Sequence, residues 1–448
     1  MTGEWGMNIV FLTHYFPPEV NAPASRTHAH CREWVKRGHD VTVVTCAPNH
    51  PFGRVYNGYH NLPWQVESID GIRVIRLWTF LAANEGVWKR ATNYVSYMLV
   101  AALAAPFLPR PDVVVSTSPQ FFCGLAGYAV SRIHHAPWVL EIRDLWPDSI
   151  TAVGALRRGW AIKLSERLEA WAYRKADKIV IVTDSFRRHI GERGAAADKI
   201  IVVKNGVDLE QFGRLQKDHS LARELGVEDR FIAAYFGTHG MAHGLDVVLR
   251  AAVLLRNDPR IAFLLVGDGA ERRGLQAMRN EFGLTNVVML EQQSRDRMPA
   301  LWGLADAALV LLRKSDVFKM VLPSKIFEAM GAGRPIVLGV EGEARDIVER
   351  AACGIPVEPE NAEQLAAAVH YLAERPELAR EMGAKGLAFV AREYDRRVLA
   401  ARLADVFAEL VRAPVARAEP TLTNESRRWA GGLVDIVASS LRRHGLMR

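Results

Sequence analysis

The chain has 448 residues, with 49% hydrophobic and 24% charged side chains and a formal net charge of +7. That length exceeds a single hydrophobic core and fits two or three domains, and the balance is that of a globular chain rather than a disordered or fibrous one. The modest positive charge suits phosphorylated substrates or an anionic membrane surface; nucleic acid needs a concentrated basic stripe or an aromatic platform, and the sequence has neither, so no nucleic-acid partner is expected.

Residues 1–6 are short and polar, which gives no signal peptide, and Met7 is a second candidate start. Residues 8–13 (Asn-Ile-Val-Phe-Leu-Thr) read as a buried parallel strand. A loop over 14–26 follows, then a helix that stops at Lys36-Arg37-Gly38, a basic last turn with a glycine end. Residues 41–45 are the second strand. The strand-helix alternation continues and predicts a mostly parallel sheet. Residues 50–70 read as irregular, and 73–78 as another strand. Residues 94–108 are apolar nearly all round, flanked by Lys89, Arg90 and Arg110. The stretch is shorter than the roughly 20 residues a spanning helix needs. It reads either as a core helix of the first domain or as a helix that dips into one leaflet. A full span is disfavoured because residues 113–117 form the next strand of the same sheet.

The strand from Trp138 runs into Arg143-Asp144, at the carboxyl edge where open α/β sheets place ligands. The four cysteines (Cys31, Cys46, Cys123, Cys353) are scattered, without metal-ligand spacing, and suit a reducing compartment. Asn205-Gly206-Val207-Asp208 reads as a sharp turn with positive φ, and the domain boundary is placed there.

The second half repeats the pattern. Residues 231–236 are a strand, and 237–244 a glycine-rich turn of the kind that cradles phosphate. The helix at 245–256 follows with apolar residues at 245, 248, 249 and 252. His239 and His243 are spaced for a shared metal, but no third ligand is evident and no metal is expected. Gly267, Gly269 and Gly274 do not form Gly-x-Gly-x-x-Gly. Residues 287–290 and 307–312 are further strands. Leu322-Pro-Ser-Lys-Ile-Phe-Glu-Ala-Met-Gly-Ala-Gly-Arg-Pro-Ile-Val-Leu-Gly339 then reads as loop, short helix, glycine stop and buried strand. Ser324 is the expected N-cap, and Lys325 just inside the helix start favours a bound anion. Glu328 serves either the helix dipole or a sugar diol, as the acidic residue of dinucleotide folds serves ribose.

This last segment resembles the nucleotide-sugar motif of the retaining glycosyltransferases of family 4, in the branch that builds bacterial O-antigen, capsule and colanic-acid-type polysaccharides. The Phe-Pro-Pro loop, Arg-Gly-His-Asp-Val-Thr-Val-Val-Thr, Arg-Asp-Leu-Trp-Pro-Asp and Asn-Gly-Val-Asp are similar to that family's motifs in the same order. The resemblance covers residues 7–410. Glu328 matches the second glutamate of a Glu-x7-Glu motif and would bind ribose, while Met320 stands at the first. The family's phosphate-binding arginine and lysine of the glycine-rich turn are both missing here, and Thr238 and His243 lie near their places.

The resemblance implies an α/β fold of GT-B type: two Rossmann-like, doubly wound parallel-sheet domains facing a cleft, with a C-terminal helix crossing back. The domains would be 7–205 (acceptor) and 206–395 (donor), with a crossing helix at 396–412 and a basic tail, a candidate amphipathic segment, at 413–448. The implied catalytic pair is Asp144 with Arg143, Asp144 facing the acceptor hydroxyl or donor sugar or else capping a helix. The donor set is Gly237, Thr238, His239, Gly240, Glu291, Lys314, Met320, Leu322, Pro323, Ser324, Lys325 and Glu328. The acceptor side is Pro18, Ala22, Ala24 and Arg26. The implied activity is transfer of a sugar from a nucleotide-diphosphate sugar, with UDP favoured, to a lipid-linked oligosaccharide in cell-envelope polysaccharide biosynthesis. It would need no cofactor and no metal, and would act in the cytoplasm on the inner leaflet of the cytoplasmic membrane. A nucleotide-sugar epimerase or phosphorylase of the same fold, or a non-catalytic membrane-surface scaffold, are the alternatives.

Overall fold

The computed structural model describes residues 6–82, 87–118, 121–145, 148, 159–210, 215 and 217–412. The expected basic tail at 413–448 lies outside these residues.

Two sheets organise the chain. The first holds β1 (Asn8–Leu12), β2 (Asp40–Cys46), β3 (Trp64–Ile69), β4 (Ile72–Leu77), β5 (Val113–Thr117), β6 (Trp138–Ile142), β7 (Lys178–Ile181) and β8 (Ile200–Val202). Their order is β3-β4-β2-β1-β5-β6-β7-β8, parallel throughout except β3 against β4. The second holds β9 (Phe231–Phe236), β10 (Ile261–Val266), β11 (Val287–Leu290), β12 (Ala307–Leu311), β13 (Ile336–Gly339) and β14 (Gly354–Pro356), all parallel in the order β11-β10-β9-β12-β13-β14. Each is doubly wound, as expected. Strand order reverses at β1 in one sheet and at β9 in the other, and such switch points open a crevice at the carboxyl ends of the strands. Helices cover both faces of each sheet, so the strands are apolar runs; every residue of β10 is buried.

Four details differ from the sequence reading. Part of the stretch read as irregular is β3, an edge strand joined to β4 by Asp70-Gly71, both with positive φ (51° and 78°), the backbone that two-residue hairpins require. The first helix begins at Ala22 rather than after Arg26: Asn21 caps it by accepting from the Ala24 N–H at 2.9 Å. Ala22, Ala24 and Arg26 are therefore helical. The apolar helix starts earlier, at Val87, and ends at Ala104 where a 3-10 turn containing Pro106 takes over. It buries Tyr97, Ala101 and Ala104 and exposes Leu99 (53%) and Leu103 (63%), so it is amphipathic. Asn205 and Gly206 do not have positive φ. Gly206 serves close approach, because a Cβ there would lie 2.3 Å from the Tyr394 carbonyl oxygen.

That approach is where the chain crosses back. Val207 donates to Tyr394 O, and Arg396 donates from its backbone N–H to Val207 O. The helix starting at Arg396 then leaves the second sheet and packs Leu399, Leu403 and Phe407 against Ile9, Phe11 and Trp34 of the first. Trp34 Nε1 donates to Ala400 O at 2.9 Å.

Candidate functional site

The carboxyl ends of both sheets border one cleft of about 1220 Å3, open solvent included. From the first sheet come the loop after β1 (Val20, Asn21, Ala22), Ser25, and His50 with Pro51 after β2. From the second come Gly237 and Thr238 after β9, Gly267 and Asp268 after β10, and Gln292 and Gln293 after β11. Trp302, Ser324, Lys325 and Glu328 complete that side, and Arg396 reaches in from the start of the crossing helix.

The densest chemistry surrounds Lys325. It begins the seven-residue helix Lys325–Gly331. Gly237 has φ 133°, and a Cβ there would fall 2.6 Å from Lys325 Cε, so the lysine needs a glycine at this place. Lys325 Nζ lies 4.8 Å from the centre of the Tyr235 ring. Among the described residues, no oxygen accepts a hydrogen bond from it. Loss of water around the ammonium pulls its pKa down to about 8, with Glu328 opposing. His239 is fully buried beside it with both ring nitrogens unpaired. Burial, Arg272 and Lys325 hold that imidazole down to about 4, so it is neutral at pH 7. Gly267 is equally constrained: a Cβ would sit 1.9 Å from Gly237 O. A cation without an oxygen partner, lined by glycine backbone, is suited to an anion with oxygen acceptors.

The remaining expected residues fall in several places. Ala22, Gly237, Thr238, Ser324, Lys325 and Glu328 all line the cleft. Ser324 makes no cap hydrogen bond, its backbone being already helical (φ −60°, ψ −23°). His239 is under the glycine turn, with Gly240 beside it at the head of a 3-10 turn. Glu291 points outward, 80% exposed and 4.0 Å from Arg272; its neighbours Gln292 and Gln293 line the cleft instead. Lys314 offers its backbone N–H to Glu360 on the surface. Leu322 is in the core of the second sheet. Met320 packs against the core of the first sheet and borders a second groove with Lys204 and Glu343. Neither Pro18 nor Pro323 reaches the cleft lining.

Arg26, expected on the acceptor side, is used internally. Its guanidinium pairs with buried Glu141 at 2.9 Å and donates to the carbonyls of Val203 and Lys204. Arg143 donates to the carbonyls of Ala22 and Pro23 at 3.2 and 3.3 Å, so it holds the first turn of the helix that borders the cleft. Asp144, expected at the reacting sugar, lines a separate small recess with Leu140, Glu169 and Tyr173. The sequence reading missed Asn21, Ser25, Trp302 and Arg396 as cleft residues. A usable signal existed for the first two, because Asn21 is a capping residue with a proline two residues on, at Pro23, which predicts a helix start at the sheet edge.

Two family profiles match this chain, one after the other. "Glycosyl transferase 4-like domain" matches residues 21–206, and "Glycosyl transferases group 1" matches residues 217–388. The chain belongs to the glycosyl transferases. The boundary between the profiles falls in the segment between β8 and β9. The enzyme is similar to the Escherichia coli K12 glycosyl transferase WcaI, named for colanic acid biosynthesis, with 27% identity over 376 residues, 81% of this chain and 91% of that one. Among solved structures it resembles sucrose-phosphate synthase from Thermosynechococcus elongatus (TM-score 0.72, 17% identity, covering 91% of this chain and 100% of that one). It also resembles Anabaena HepE in complex with UDP-glucose (TM-score 0.67, 17% identity, 90% and 100% coverage). These likenesses give the glycosyltransferase its fold, GT-B, with two Rossmann-like sheets.

Proposed function

We propose that this glycosyltransferase moves a sugar from a nucleotide-diphosphate sugar to a lipid-linked glycan acceptor, with retention at the anomeric carbon, in cell-envelope polysaccharide biosynthesis. The observation that carries the donor reading is Lys325: its ammonium lines the cleft with no oxygen acceptor among the described residues, beside the Gly237–Thr238 turn. A donor diphosphate supplies the missing acceptors. UDP is the proposed base, supported by the likeness to a HepE structure holding UDP-glucose. The polysaccharide assignment is supported by the likeness to WcaI.

In this reading Glu328, also in the cleft, accepts from the ribose diol. Lys325 and the glycine-turn N–H groups stabilise the charge that develops on the departing diphosphate. Positioning two substrates in one cleft supplies much of the remaining rate. Arg143 acts as a positioning residue through the carbonyls of Ala22 and Pro23. Protein cations meet the phosphate charge without a metal. The acceptor enters from the β1 and β2 loops. The exposed Leu99 and Leu103 of the helix beginning at Val87 support contact with the inner face of the cytoplasmic membrane. No described helix is long and apolar enough to cross a membrane.

The test is turnover in the presence of EDTA, with UDP-sugars and vesicles carrying lipid-linked glycans. The expected result is UDP release that depends on acceptor, with a product of unchanged anomeric configuration by NMR. Release that ignores the acceptor, or an inverted product, would overturn the reading.

A further inference from the structure

Among the described residues that line the cleft, two are cationic: Lys325 on the second-sheet side and Arg396 at the start of the crossing helix. Arg396 is 7% exposed. Its Nε donates to Gly206 O at 2.8 Å, and its backbone N–H donates to Val207 O. The side chain is therefore anchored where the chain passes between the sheets. It borders the cleft together with Asn21, Ala22 and Ser25 from the start of the first helix.

Positive charge gathers behind that wall. Arg26, Arg143 and Arg396 all act on the buried His30, and the carboxylate set among them, Glu141, pairs with Arg26 at 2.9 Å. Burial brings Arg143 down to about 9, with Glu141 opposing and with Arg26 and Arg396 adding to the fall. Arg143 Nε is buried with no hydrogen-bond partner. Three guanidiniums around that one carboxylate make this side of the cleft attractive to an oxyanion.

The cations nearer the glycine turn are engaged elsewhere. Arg313 donates to Met241 O at 2.7 Å and pairs with Glu360 at 2.9 Å. Arg272 donates to the carbonyls of Gly267 and Leu290. Within the turn itself, burial keeps His239 and His243 neutral. Each phosphate of a donor diphosphate carries negative charge, so Lys325 alone leaves one of them without a cation.

We propose that Arg396 is the second diphosphate cation. It takes the β-phosphate of the donor from the crossing helix, while Lys325 holds the diphosphate from the second sheet. This assignment rests on the donor reading above and deepens it, because it moves half of the phosphate recognition from the glycine turn to the interdomain crossing. A nucleoside monophosphate lacks the group that Arg396 would hold.

Calorimetric titration of UDP and of UMP into the full chain, in EDTA at pH 7, tests the assignment. We expect the wild type to bind UDP at least tenfold more tightly than UMP. Arg396→Gln should lose at least tenfold in affinity for UDP and less than twofold for UMP. Arg396→Lys, which keeps a point charge without the guanidinium fork, should fall between the two for UDP. Equal losses for UDP and UMP in folded Arg396→Gln would assign the side chain to the crossing alone and overturn the proposal. Unchanged UDP affinity in that variant would do the same, as would a wild type that binds UMP as tightly as UDP, a result that needs no variant to fold. A wild type that binds neither nucleotide removes the donor reading and Arg396 with it, whereas UDP binding indifferent to Arg396 removes the second cation only.

Discussion

The side-chain amide of Gln292 donates to the backbone carbonyl of Val20 at 2.9 Å. One residue follows β11 and the other follows β1, so this bond ties the two sheets together at the cleft that both residues line. A second tie involves Glu343, which accepts from Thr183 and Ser185 and pairs with Lys204 at 2.7 Å. Gln292→Ala removes a single neutral hydrogen bond, about 1 kcal/mol. The expected outcome is a small loss of global stability with faster hydrogen exchange at residues 18–21 and 291–294. Unchanged exchange there would show that the bond does not hold the cleft.

Lys325 sets a pH dependence for donor binding. An anion binds the protonated amine, and in the free protein burial brings that amine's pKa down to about 8. Donor affinity should be flat below that pH and fall about tenfold per unit above it, as protonation becomes linked to binding. Bound diphosphate should raise the pKa, so binding near pH 8.5 should take up a proton, visible as a buffer-dependent enthalpy. A donor affinity independent of pH between 7 and 9.5 would take Lys325 out of the phosphate site.

Trp34 joins the first helix to the crossing helix. It is fully buried, packs 5.2 Å from Phe407 and donates to Ala400 O. Trp34→Ala should cost about 3–5 kcal/mol by emptying this contact, measured by denaturant unfolding. Trp34→Phe should cost much less, because it keeps the apolar packing and loses the hydrogen bond. Similar costs for both would mean that the indole N–H, rather than the packing, secures the crossing helix.

Much of this architecture is legible in the sequence because buried parallel strands are continuous β-branched and apolar runs. β1, β2, β5, β9, β11 and β12 stand where residue patterns place them. β3 escaped because Trp64–Ile69 is an edge strand with alternating exposure, although Asp70-Gly71 marks its hairpin. Of the site, the part within one segment was legible: Gly237, Thr238, Ser324, Lys325 and Glu328 sit in two local motifs. Trp302 and Arg396 were not, since each reaches the cleft only through the packing of distant elements. Asp144 lies at a strand's carboxyl end, where open α/β sheets place ligand residues, and borders a recess beside the cleft.

Glu19 and Glu169 give stability a pH slope. Burial raises both carboxyls from the usual 4.5 to about 7. Between those values the folded chain holds protons that the unfolded chain has released, so stability falls as pH rises through about 7. Glu19→Gln keeps an oxygen for the Asn49 and His50 N–H groups and removes the charge. Its melting temperature should gain on wild type as pH rises from 5 to 8, and Glu169→Gln should show the same trend. Parallel curves would place both carboxylates in a more solvated setting.

The most direct measurement is a calorimetric titration of UDP, in EDTA at pH 7, into the wild type, Lys325→Ala and Glu328→Ala. The donor reading predicts that the folded wild type binds UDP and that each variant loses at least tenfold in affinity, Lys325→Ala through the diphosphate and Glu328→Ala through the ribose. UDP affinities equal in all three folded proteins, or no nucleoside diphosphate bound by the wild type, would contradict it.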